Sequence, residues 1–301
     1  MKESFNNSKI NKHMSKDYTI GIDIGGTNMK AVLFDGKKVV SRLSLATPKD
    51  SLDHLLIMIK ALIEPLEEEA KKDRRKIVGI GLSVAGLVDF DEQKVLRAPN
   101  VEILENVKLS QVVQGKTGYR AVMDNDGKCF IRAEVKLGTA KKHTNVFGVA
   151  LGTSVGASWW VNGEIYRGHR NGAGEICSMI VNFSEKITLE DAYMKLLQTS
   201  PAKLSDQAYH GDDFAIKSYE EVGQILGIAL ANVVNTIDPE VFVVGGGVME
   251  SSPLFLPELK KTMREFISNP EAKKIDILKS KLGSEAGAIG AALLLELKIT
   301  N

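Results

Sequence analysis

Twice in this chain a strand pattern breaks at a glycine-rich loop and resumes as a hairpin, and that recurrence restricts the fold more than any other feature. The first copy is YTIGIDIGGTNMKAVLFDGKKVVSRLSL. Ile20, Ile22 and Ile24 alternate as in a strand, GGTN interrupts, MKAVLF resumes, and Asp35-Gly36 supplies the turn into a third antiparallel strand. The second copy, NVFGVALGTSVGASWWVNGEIYRG, begins near Val146 and repeats the order without matching it letter for letter. Two copies of one layout point to two similar α/β lobes facing a cleft, although a pair of unrelated meanders has the same outline at this level. A length of 301 residues agrees with two domains, because a single core stops growing near this size.

The remaining segments fit between and after these copies. SLDHLLIMIKALI has helical periodicity, with Ser51 as a cap and Pro65 bending or ending the helix. KIVGIGLSVAG reads as a buried strand and LVDFDEQKVLRAPN as an excursion with turn residues. YEEVGQILGIALANVVNTIDPE is a long apolar helix in which Gly223, Gly227 and Ala231 allow close packing. It leads into VFVVGGGVMES, a strand and loop, and LGSEAGAIGAALLLEL gives an apolar closing helix.

Composition excludes several functions. Apolar residues at 44% and charged residues at 26% describe a globular chain with material for a core. A net charge of +1 provides no general attraction to nucleic acid or to an acidic membrane. The basic run Lys71 to Lys76 follows EPLEEEA and reads as a solvated helix end. Cys129 and Cys177 are too few and too far apart for a disulfide framework, which fits a reducing cytoplasm. No apolar run reaches membrane-spanning length, and the leader MKESFNNSKINKHMSK has no signal-peptide core and reads as a polar, disordered tail.

Glycine loops let backbone N–H groups approach an anion without interference from a Cβ. DIGGTN and LGTSVG, taken singly, are equally tight turns, and neither matches the P-loop or the GxGxxG dinucleotide pattern. In AVMDNDGKCF, Asp124, Asn125 and Asp126 follow an apolar strand, so the triplet is a turn or helix cap, a metal site or a proton acceptor.

Taken in order, GIDIGGTNMK, GLSVAGLVD, APN, DNDGKCFIRAE, ALGTSVG, NGEIYRG, NGAGEI, TIDPEVFVVGGGV and LGSEAGAIGAA resemble the ROK family of bacterial sugar kinases. The resemblance runs from about Tyr18 to the closing helix. It implies a two-lobed α/β chain of the actin-like and hexokinase-like ATPase fold, with duplicated ribonuclease H-like domains. The expected division is a tail over 1–16, an N-terminal lobe over 17–124 joined by the helix 288–301, and a C-terminal lobe over 125–287. The resemblance implies that Asp23, Gly25, Gly26 and Thr27 form a first phosphate loop for ATP, and Gly152 and Thr153 a second. It sets Gly245, Gly246 and Gly247 against the adenosine, with Gly287 and the last helix closing that side, and Mg²⁺ anchored near Asp23. Asn125-Asp126 matches the family's Asn-Asp pair, which makes Asp126 the base that takes the proton of the attacking sugar hydroxyl. Asp124 then only fixes the strand end. Glu175 and Glu190 carry over as sugar contacts, with Asn100 and Gly86 as weaker candidates for the pocket wall. An exposed helix acid is the bland alternative for Glu190.

The likeness fails at several places. Many ROK kinases follow the glutamate with Ile-Gly-His and three cysteines that bind a structural zinc. This chain reads GEICSMIVNFSEKITLED, with Ser178 at the histidine position and no later cysteine, so no zinc is expected, and Cys177 and His169 are not read as ligands. Gly127 and Lys128 replace the usual Ala-Asn, and Ser154 replaces a glycine. The expectation is an ATP-dependent kinase of glucose or a close relative acting in the cytoplasm on small molecules, with no nucleic-acid or membrane partner, and with a homodimer left open. Fructose, an N-acetylhexosamine or a glucoside is the alternative acceptor, and a non-catalytic sensor related to ROK repressors the alternative class. The residues before Tyr18 are too few for a repressor's winged helix.

Overall fold

The computed structural model describes residues 17–197 and 200–296. The expected tail and the end of the closing helix lie outside those residues. The alternation at Ile20, Ile22 and Ile24 becomes β1 (Tyr18–Ile24), and all three isoleucines are buried. It pairs antiparallel with β2 (Asn28–Phe34), which pairs in turn with β3 (Val39–Ala46). The first helix, α1 (Leu52–Lys72), starts at Ser51, whose hydroxyl accepts the His54 N–H at 3.2 Å. Pro65 does not end it: Leu55, Leu56, Ile59, Leu62, Ile63, Leu66 and Ala70 form one buried face, and burial on both sides of the proline outweighs its missing hydrogen bond.

β4 (Ile77–Val84) lies parallel to β1, and the β5 (Leu87–Asp89) and β6 (Lys94–Arg97) hairpin follows it. After α2 (Leu109–Thr117), β7 (Ala121–Asn125) adds in parallel to β4 and runs directly into α3 (Asp126–Lys136). The sheet order is β3-β2-β1-β4-β7. β7 is an edge strand, and glutamine side chains occupy its outer side. Gln93 accepts from Met123 N at 2.7 Å and donates to Met123 O at 3.2 Å, and Gln114 accepts from Ala121 N at 3.4 Å.

The second copy builds a sheet of the same order. β8 (Asn145–Leu151), β9 (Val155–Val161) and β10 (Glu164–Tyr166) form the meander, and the small β11 (Ile180–Asn182) and β12 (Ile187–Thr188) pair precedes three helices. These are α4 (Leu189–Leu197), α5 (Pro201–Tyr209) and α6 (Asp213–Ile237). β13 (Val241–Gly245) joins β8 in parallel, α7 (Ser252–Phe266) packs on α6, and β14 (Asp276–Lys279) completes the order β10-β9-β8-β13-β14. The glycines of α6 work as expected, because a Cβ on Gly223 would lie 2.6 Å from Phe255 O and one on Gly227 2.7 Å from Thr262 Cβ.

The chain divides into two compact units, one ending at Ala133 and resuming at Glu285, the other Glu134–Ser284. Asn125, the expected start of the second lobe, falls in the first unit, and the division runs through α3. The resumed chain is α8 (Ala286–Ala292), which lies directly on the first sheet. Gly21 and Gly81 are register partners in β1 and β4, and a Cβ on them would strike the carbonyls of Ala288 and Ala291. Each unit has its own apolar core. Among the described residues, no helix is long and apolar enough to cross a membrane.

Candidate functional site

Parallel strands present their carboxyl ends on one edge of a sheet, where loops can gather side chains around a ligand. In the first unit, strand register aligns Asp23 with Ser83 and Ser83 with Asp124, so the three stand in a row across β1, β4 and β7. Ser83 is fully buried and donates its hydroxyl to Asp23 Oδ1 at 2.5 Å. Asp23 keeps some exposed surface but is crowded enough that burial raises its pKa, against the lowering effects of the Ser83 hydrogen bond and of Lys30. Gly287 faces this carboxylate: a Cβ there would lie 2.7 Å from Asp23 Cγ. The residue expected beside the adenosine thus packs on the acid of the first loop.

That loop is fixed from behind. Thr47 donates its hydroxyl to Gly25 O at 2.7 Å and its N–H to Thr27 O at 2.9 Å. Gly26 abuts Asn100, where an added Cβ would lie 2.8 Å from Asn100 Cβ, while Thr27 is exposed. Asn125 donates from Nδ2 to Gly86 O at 2.8 Å. Gly86 is held at φ +156°, where a Cβ would also strike Arg97 O, so both pocket-wall candidates border loops of this unit.

The two acids of the triplet differ sharply. Asp124 has no exposed surface; its Oδ2 accepts both Arg132 guanidinium nitrogens at 3.2 Å and its Oδ1 the Asn125 N–H at 2.9 Å. Asp126 opens α3 and is partly exposed. Its Oδ1 accepts Asn125 Nδ2 at 2.9 Å and Gly127 N at 2.8 Å, two donors that fix the plane of the carboxylate. Lys128, one of the departures from the family pattern, is fully buried, and its N–H caps Asn125 Oδ1 at 3.1 Å.

In the second unit, the loops after β8 and β13 lie side by side. Gly246, at φ +93°, passes so close to Leu151 that a Cβ would meet its carbonyl carbon at 2.7 Å, and Gly245 pairs with Ala150. Nothing lies within 4 Å of a Cβ built on Gly152 or Gly247, so these stretches of backbone are open to a ligand. The buried Tyr193 of α4 donates its hydroxyl to Gly152 O at 3.0 Å and ties this loop to the helix. Thr153 is exposed at the loop tip.

Glu175 and Glu190 are both half-buried. Cys177 brings them into relation: its Sγ lies 3.7 Å from Glu175 Oε2 and 3.9 Å from Ser178 Oγ. Burial, then Glu175, then more weakly Glu190, push its thiol up to about 11, while the Ser178 hydrogen bond acts the other way. His169 is exposed. Among the described residues, no group of three His, Cys, Asp or Glu side chains forms a metal-holding cluster.

Sequence reasoning missed Ser83, Thr47 and Tyr193. A serine inside an apolar strand, a threonine after a strand and a tyrosine in an amphipathic helix carry no local signal, and only strand register and helix packing bring them to the loops.

A model described as the ROK family matches residues 19–298. The chain belongs to the ROK family. It is 27% identical over 300 residues to the xylose repressor of Bacillus subtilis, covering 92% of this chain and 77% of the repressor. To the glucokinase of Streptomyces coelicolor it is 26% identical over 313 residues, covering 91% of this chain and 96% of that enzyme. Among solved structures, a ROK family glucokinase from Streptomyces griseus in complex with glucose and AMPPNP superposes with a TM-score of 0.78 at 25% identity, covering 92% of this chain and 98% of the other. The fold is therefore the actin-like ATPase fold of ROK hexokinases, and these ROK relatives include sugar kinases and a sugar repressor.

Proposed function

We propose that this protein is an ATP-dependent sugar kinase that phosphorylates a glucose-like hexose at its primary hydroxyl. The observation that carries the reading is the contrast between Asp126, partly exposed and aimed by Asn125 Nδ2 and Gly127 N, and Asp124, sealed against Arg132. A proton acceptor must be accessible and fixed in direction, and of these two acids Asp126 meets both conditions. The acceptor hydroxyl gives its proton to Asp126 as its oxygen bonds to the γ-phosphorus, the bond to the β-bridging oxygen breaks, and ADP leaves.

The other assignments follow the same reading. Asp23, Gly25, Gly26 and Thr27 serve the phosphates, as do Gly152 and Thr153, whose loop backbone is open, and Gly245, Gly246 and Gly247 serve the adenosine. Asn125, Glu175 and Glu190, with Asn100 and Gly86 at the wall, serve the sugar. The oxygen donors and bare backbone of these loops suit a magnesium triphosphate, and Asp23 would hold the ion through water. Mg²⁺, when bound, neutralises charge on the triphosphate. No zinc is assigned, because the chain from Ile176 to Asp191 offers one thiol and no imidazole. The glucose and AMPPNP bound by the Streptomyces griseus glucokinase support this choice of ligands.

The likeness to a xylose repressor keeps a second reading in play, a sugar sensor without turnover. An ADP-release assay over glucose, fructose, N-acetylhexosamines and glucosides separates the two. Turnover is expected with glucose or a near relative. Sugar binding without ADP release across the panel would replace the kinase with the sensor.

A further inference from the structure

We propose that Cys177 orients the Glu175 carboxylate through its thiol proton and so sets how Glu175 receives the hydroxyls of the acceptor sugar. This rests on the proposed reading of Glu175 as a sugar contact. The thiol stands 3.7 Å from Glu175 Oε2 and 3.9 Å from Ser178 Oγ, within the reach of sulfur hydrogen bonds. Only the carboxylate can accept from it strongly, so the proton belongs on the side of Glu175.

The local chain explains why the contact holds its geometry. Gly174 is held at φ +94° with its Cβ position 3.0 Å from Ser158 Cα, which anchors the start of the segment on β9. The segment then turns: Ile176 N donates to Gly174 O at 2.7 Å and Met179 N to Ile176 O at 2.9 Å. This turn brings the side chain of residue 177 back beside that of residue 175. Ile176 is buried as its anchor, while Glu175 and Cys177 stay half-buried and reachable by a ligand.

Two carboxylates near one thiol also fix its chemical character. With burial and both acids pushing its pKa up to about 11, the sulfur stays protonated at neutral pH and acts as a donor, not as a nucleophile. Cys177 is a positioning residue, then, acting on the sugar through Glu175.

The test uses full-length protein and two readouts. Native thiol labelling with a disulfide reagent reports on Cys177, because Cys129, the other cysteine, is fully buried. Replacing Glu175 by Gln removes a charge that keeps the thiol protonated, so labelling should quicken several-fold, and this needs no substrate. An unchanged rate would overturn the contact. Calorimetric titration with glucose gives the second readout. Cys177→Ala should weaken glucose binding by about fivefold to tenfold, the size of one lost hydrogen bond, with the melting temperature little moved. Cys177→Ser should restore most of the affinity. If Glu175→Gln weakens binding and Cys177→Ala does not, the positioning role is wrong and the sugar contact stands. If neither changes it, the assignment of Glu175 falls first.

Discussion

Asp124 and Asp126 are two residues apart, yet their surroundings predict opposite phenotypes. Asp126→Asn keeps the shape of the α3 entrance and should lower kcat by about 10²-fold or more while sugar binding persists, as steady-state kinetics and calorimetry would show. Asp124→Asn leaves the buried Arg132 charge uncompensated and should cost about 3–5 kcal/mol of stability, read by denaturant unfolding. Equal kinetic losses at equal stability would sink the distinction. Asp23 gives a prediction with a sign. Burial holds its carboxyl above the usual 3.8, so the native state keeps the proton to a higher pH than the unfolded chain does. Stability therefore falls as pH rises from 3.8 toward the raised native value. Asp23→Asn should melt higher than the wild type at pH 7.5, with the gap closing toward pH 3.8, while turnover falls; a lower melting point at pH 7.5 would contradict the burial argument. In the sequence the triplet alone favoured a turn or helix cap, and the family likeness chose the base. The contrast with Asp124 was illegible, because Arg132 meets it only once α3 is wound.

The elements were read with different success. Ser51 announced α1 because a cap is a local property, whereas Pro65 left open whether the helix bends or ends, because the burial that carries the helix through it comes from the sheet. The spacing of Gly223 and Gly227 correctly indicated a close helix neighbour, although nothing in the letters named α7. Gly227→Val should force Thr262 and the Leu259 carbonyl to move and cost about 1–3 kcal/mol, lowering the melting temperature by several degrees. An unchanged melting curve would mean that α6 and α7 pack less tightly than described. The β7 edge was invisible beforehand. Gln93 lies in an excursion read only as turn residues, and its left-handed backbone, φ 50°, carries the amide across to Met123.

For the whole molecule, the duplicated layout was legible because both copies write strand, loop and hairpin locally, and both sheets have the same strand order. The division through α3 was not, since no break in composition marks Ala133. The metal content follows from ligand chemistry: purified protein should contain well under one zinc per chain, a zinc-selective chelator should leave the melting curve in place, and EDTA should stop turnover until Mg²⁺ is restored. Stoichiometric zinc whose removal unfolds the protein would require a site built from Cys177, Cys129 or His169. The seat of α8 on Gly21 and Gly81 also sets an order on biosynthesis. The strand that begins at Tyr18 leaves the ribosome early, but the helix that covers its Gly21 side starts only at Ala286, so the inserted unit Glu134–Ser284 can finish folding while that face of the first sheet is still uncovered. A nascent chain stalled before Glu285 should resist protease in the inserted unit and be cut in β1 and β4, and it is this half-dressed intermediate, more than the finished protein, that would need a chaperone.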